Sequence, residues 1–183
     1  MKLVFKAAIS FFFSLFAHPL LSFEIFGNKW MGAETSIYLN LSGGSASGIP
    51  WNTAFLQAAT EWNEKTDFNF NIISEYRDPC IKDGLNGVAF LPDMCGESFG
   101  KSTLAVTLLR YQSQLLGPAA IIEADIFING NVNFDIYRGK TNIQNQSTNA
   151  TVDFRRTAMH ELGHVIGLGH ESTNNAIMQP RYG

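Results

Sequence analysis

Polar and apolar positions alternate in several short runs along the chain, and one late run changes to helical spacing. In residues 34–41, Ile37, Leu39 and Leu41 fall on one side of the alternation, which predicts a half-buried strand. Residues 42–49 are rich in glycine and serine and read as a loop. A helix then opens at Pro50 or Trp51, with Asn52 or Ser47 as candidate caps. Phe55, Ala58, Ala59 and Trp62 form its buried stripe, and it ends near Thr66. Alternation returns in 68–73, a second strand. Residues 77–100 are irregular, with a short strand at 87–91. Residues 102–110 and 121–129 are further strands, joined through a turn at Gly117-Pro118, and 131–136 extends or pairs with the second of them. Asp125 lies between apolar neighbours and is expected to be buried and hydrogen-bonded. Residues 140–151 are polar and read as a loop. A last helix starts at Asp153, a suitable N-cap, and runs to about Gly167 on Ala158, Leu162, Val165 and Ile166. Gly163, in its middle, costs about 1 kcal/mol relative to alanine. A glycine there signals that something packs close against the helix.

Composition places this pattern in one globular domain. The chain has 183 residues, 45% hydrophobic and 16% charged, enough to build a core. A net charge of −3 provides no basic footprint, so nucleic acid is not an expected partner. Residues 1–22 stand apart. Lys2 and Lys6 flank the start of an apolar run at 7–17 that is too short to span a bilayer, and small residues follow at Ala17 and Ser22. This is the pattern of a secretory signal peptide, cut after Ser22. The expected product is a monomeric extracellular or periplasmic domain, 23–183, with no membrane span.

The candidate chemistry lies in the last helix. Residues 160–171 hold three of the four histidines of the chain. His160 and His164 are four apart and share a helix face, and His170 follows a glycine that can turn the chain back towards them. Three neutral imidazoles suit an open zinc site, with a fourth position for water. Glu161 follows the first ligand, so its carboxylate falls beside that water as a general base rather than among the ligands. One catalytic Zn2+ is the expected cofactor. Asp78, Asp83, Asp93 and Glu97 are carboxylates enough for Ca2+, but at no recognisable spacing, and a solvated loop is the simpler reading. Cys80 and Cys95 belong to the exported part, where an oxidising compartment favours a disulfide between them. The alternative is a free thiol that ligates the zinc and keeps the site latent.

The string His160-Glu161-Leu-Gly-His164-Val-Ile-Gly167-Leu-Gly-His170, followed by Met178, resembles the metzincin peptidases, whose pattern ends in a methionine turn. Among them the chain is most similar to the matrixins, through the zinc string, through 176–182 (Ala-Ile-Met-Gln-Pro-Arg-Tyr), through Ala54-Phe55 and Trp62 of the first helix, and through 104–107 followed by 123–129. Glu171 departs from the matrixin habit of serine and is typical of astacins, the second choice. The resemblance implies an α+β catalytic domain: a twisted mixed sheet of about five strands, two main helices and a Met-turn at Met178. It implies an extended peptide substrate laid beside the edge formed by Leu104, Ala105, Val106 and Thr107, with Pro180 to Tyr182 forming one wall of the specificity pocket. It also implies a single zinc, since the histidines of the matrixin structural zinc are absent. The function expected is a secreted zinc metalloendopeptidase. The alternative is a catalytically inactive, zinc-stabilised module that binds peptides.

Overall fold

The computed structural model describes residues 27–136, 151–171 and 176–180. The expected signal peptide, most of the polar segment 140–151 and Tyr182 lie outside the described residues. Among the described residues nine elements follow in chain order: β1 (Glu34–Leu39), α1 (Trp51–Lys65), β2 (Asn69–Ile73), β3 (Asn86–Leu91), β4 (Ala105–Gln112), β5 (Ala120–Asn129), β6 (Phe134–Asp135), β7 (Val152–Asp153) and α2 (Phe154–Val165). The large sheet has the order β2-β1-β3-β5-β4. All its pairs are parallel except β4 with β5, so β4 is an antiparallel edge strand. Two helices against a five-stranded mixed sheet make an α+β domain.

One face of the sheet carries the core. Ile37, Leu39, Val88, Ala124, Ile126 and Ile128 meet Ala54, Phe55, Ala58 and Ala59 of α1 and Phe154, Ala158, Leu162 and Val165 of α2. Small residues on α1 let the helices approach, and Trp62 donates its indole N–H to the Met159 carbonyl at 2.9 Å. At the start of α2 the buried Asp153 accepts from the backbone N–H of Arg155 at 2.9 Å and of Arg156 at 3.3 Å, which fixes where the helix begins. The segment before β1 is stitched to both layers. Lys29 bridges to Ala120, and the Trp30 indole donates to the Val165 carbonyl at 2.8 Å.

Three expectations need correction. The first strand stops at Leu39, because the N–H of Leu41 turns to the Asn52 side chain at 2.8 Å. Asn52 therefore does not cap α1. The N-cap is Pro50, no side chain caps that end, and the Ser47 hydroxyl is engaged with Ser45. Residues 131–136 do not join β5. A turn at Asn129–Val132 carries the chain off the sheet, and β6 pairs with β7 just ahead of α2.

The other face of β5 is also closed, but by polar groups. Glu123 and Asp125 are almost fully buried. Glu123 takes a charge-assisted bond from Arg110 of β4 at 2.5 Å and another from the Gly84 N–H at 2.7 Å. Asp125 accepts from the Gly87 N–H at 2.9 Å and lies 3.7 Å from the Arg110 guanidinium. The loop that covers this face is held by a disulfide between Cys80 and Cys95, with Cα atoms 5.5 Å apart. Three of its carboxylates are spent on its own turns: Asp78 accepts from Cys80, Asp83 from Leu85 and Asp93 from Gly96.

Burial, and next the neighbouring Glu123 carboxylate, push the Asp125 carboxyl up to about 8. The native protein then keeps a proton that the unfolded chain releases near pH 4, so stability falls as pH rises towards 8 and levels off above it. Asp125→Asn should flatten this dependence. Unfolding free energies from denaturant titrations at about pH 5 and about pH 9 should differ less in the variant than in the wild type, by on the order of 2 kcal/mol, and the remaining dependence includes the raised carboxyl of Glu161.

Candidate metal centre and catalytic site

Helix α2 brings the histidines together as the spacing requires. His160 and His164 project from one face, one turn apart. Past the helix, Gly167 adopts φ +93°, its N–H donates to the His164 carbonyl at 2.9 Å, and the Leu168 N–H returns to the Gly163 carbonyl at 3.0 Å. This left-handed ending reverses the chain and delivers His170 to the other two. The turning residue is Gly167, with the Asn28 carbonyl lying where a side chain would sit.

The three ring nitrogens converge. Nε2 of His160 is 3.1 Å from Nε2 of His164 and 3.3 Å from Nε2 of His170. Nδ1 of His160 lies 2.7 Å from the Ile177 carbonyl, and Nδ1 of His164 lies 2.7 Å from the Leu168 carbonyl. A carbonyl can only accept, so each Nδ1 carries the proton and each Nε2 presents a lone pair. Lone pairs facing each other at this range repel unless a cation lies among them. Four-coordinate zinc with ligand bonds of 2.0–2.1 Å would separate its nitrogens by about 3.3 Å. Burial depresses both helical imidazoles, that of His164 to about 4. They are therefore neutral, the form that binds metal. Among the described residues this trio is the group of His, Cys, Asp or Glu able to hold a metal ion.

Glu161 is almost fully buried beside the trio, and the Thr107 hydroxyl donates to its Oε2 at 2.7 Å. Burial, partly offset by that bond, raises its carboxyl to about 7, the range of a general base working near neutrality. Met178 is buried at 1% exposure against Gly163, where an added Cβ would strike its Sδ and come within 3.0 Å of its Cε. The segment behind the helix is thus what Gly163 makes room for. Glu171 is buried, and its N–H donates to the Met178 carbonyl at 2.8 Å, so the residue after His170 ties the two ends of this loop together. Ala105 and Val106 open β4, and Leu104 lies just before it, accepting from the Asn129 N–H at 2.9 Å. Pro180 is exposed. Sequence reasoning placed Thr107 at the end of the substrate edge but missed its bond to Glu161, and it missed the Ile177 and Leu168 carbonyls, which no side-chain pattern announces.

The sequence profile of the matrixin family matches residues 109–183. Over that stretch the chain is similar to the matrixins. Its relatives include Metalloendoproteinase 5-MMP of Arabidopsis thaliana, 29% identical over 126 residues that cover 69% of this chain and 32% of that protein. Matrilysin of Homo sapiens is 53% identical over 32 residues, 18% of this chain and 12% of that protein. Matrix metalloproteinase-19 of Mus musculus is 37% identical over 67 residues, 36% of this chain and 12% of that protein. This chain thus spans a third or less of the length of these relatives. No helix among its described residues is long and apolar enough to cross a membrane.

In this matrixin-like chain the Gly163 contact joins the helix to the segment that orients His160. Gly163→Ala adds helix propensity worth about 1 kcal/mol. It should nevertheless weaken zinc binding by roughly 10-fold or more, because Met178 and the adjoining Ile177 carbonyl must shift. Competition titration with a chromogenic chelator measures this, and unchanged affinity would show that the contact does not reach the site.

Proposed function

We propose that this chain is a secreted zinc-dependent metalloendopeptidase. The observation that carries the reading is the convergence of three Nε2 atoms beside a buried carboxylate, in a chain similar to proteins named as metalloproteinases. His160, His164 and His170 would hold the metal. Bound there, zinc polarises a peptide carbonyl and brings the pKa of a coordinated water to about 7.

The rest of the chemistry belongs to the chain. Glu161 accepts a proton as water attacks the carbonyl carbon, and then delivers it to the departing amine nitrogen. A carboxyl titrating near 7 can do both without a large mismatch in either direction. The edge of β4 at Ala105 and Val106, with Leu104 before it, offers unpaired backbone groups on which an extended peptide can lie as an added strand. Pro180 and Tyr182 are proposed to shape the pocket beyond it, and Met178 to act as the supporting methionine turn. Removal of the signal peptide 1–22 would release the domain to the extracellular or periplasmic space.

Purified protein should digest an unstructured protein, stop when a chelator removes the metal and recover with added zinc. Glu161→Gln should lower kcat by roughly 10²–10⁴-fold while zinc content stays at one ion per chain. Zinc-loaded, folded wild type that cleaves nothing spared by Glu161→Gln defeats the proposal and leaves peptide capture without turnover.

A further inference from the structure

Thr107 stands in the middle of β4, opposite the fully buried Ile126 of β5, and its side chain points across to α2. Its oxygen lies 2.7 Å from Oε2 of Glu161 and 3.2 Å from the backbone carbonyl of the same residue. An ionised carboxylate and a carbonyl can only accept, so the hydroxyl is the donor. We propose that Thr107 is a positioning residue for Glu161: it binds Oε2, fixes the plane of the carboxylate, and reserves Oε1 as the oxygen that takes the proton from water and gives it to the leaving amine. This rests on the reading of Glu161 as general base.

The two partners differ in stiffness. Thr107 is β-branched, with few rotamers, and its backbone is clamped in the β4–β5 ladder. Glu161 has three rotatable side-chain bonds, and a buried carboxylate needs donors. The sheet therefore sets the orientation and the helix residue adopts it. The second acceptor completes the arrangement. When Glu161 carries the proton, the single hydroxyl hydrogen can turn to the Glu161 carbonyl. Thr107 thus keeps a partner through both halves of the cycle, and neither state leaves a buried donor unmatched.

The test compares Thr107→Val, which keeps the shape and removes the hydroxyl, with Thr107→Ser, which keeps the hydroxyl, in zinc-loaded full-length protein. Thr107→Ala is carried alongside in case valine does not fold. Thr107→Val should lower kcat by roughly 10–100-fold with KM within about twofold and unchanged zinc stoichiometry, and Thr107→Ser should recover most of the rate. A readout independent of turnover is the carbon-13 resonance of the Glu161 carboxyl, assigned by its absence in Glu161→Gln. It should move in the valine variant and stay in place in the serine variant. Wild-type kcat in Thr107→Val, an equal loss in valine and serine, or an unmoved carboxyl resonance would each overturn the positioning role. Failure of the wild type itself to cleave strikes the peptidase reading instead, and the resonance distinguishes that result from failure of the Thr107 contact.

Discussion

Nδ1 of His160 and Nδ1 of His164 each donate to a backbone carbonyl at 2.7 Å, that of Ile177 and that of Leu168, and the site depends on this pair of bonds. They choose the tautomer, and the tautomer decides which nitrogen can hold a metal. Both carbonyls lie C-terminal to the helix, so its ending matters as much as its length. The positive φ of Gly167 aims Leu168 back at the ring of His164. The buried Met178, tied through its carbonyl to Glu171, keeps Ile177 against the ring of His160.

Much of this was legible in the sequence. Fixed spacing on a helix is a rigid ruler, so His160, Glu161 and His164 could be placed before any fold was known. The mid-helix Gly163 likewise declared a close neighbour through its cost in helix propensity. The elements misread were those settled by a single long-range polar bond. The first strand is cut short by Asn52, which local pattern offers as a helix cap. Phe134 and Asp135 pair with β7 because the Asn129 carbonyl closes a turn after β5. The bond from Thr107 to Glu161 was hidden for a related reason. In an edge strand a threonine is unremarkable by propensity, and only the packing of α2 on β4 gives its hydroxyl a task.

β4 is fixed from both faces. On the helix side Thr107 reaches Glu161, and on the other side Arg110 reaches the buried Glu123 with Asp125 close by. An edge strand has a partner on one flank only, and these side-chain ties supply the restraint that a second flanking strand would give. The polar face of β5 is therefore more than a closed surface, since its charge pairing sets where β4 sits. The alternation around Asp125 announced burial, but the Arg110 guanidinium beside it and Glu123 became visible only when β4 and β5 were aligned.

The order of residues along the chain also sets an order of events during synthesis. The five strands of the sheet and α1 are complete by Asn129, so the ribosome can release a framework whose parallel core is already encoded. The three imidazoles, their two carbonyl partners and the buried methionine all come from 160–178, and the Trp30 indole waits for Val165 before it has an acceptor. Until Ile177 has emerged, nothing selects the tautomer of His160. The constellation that could do chemistry is therefore the last part of the described domain to be synthesised, after every strand of the large sheet and α1.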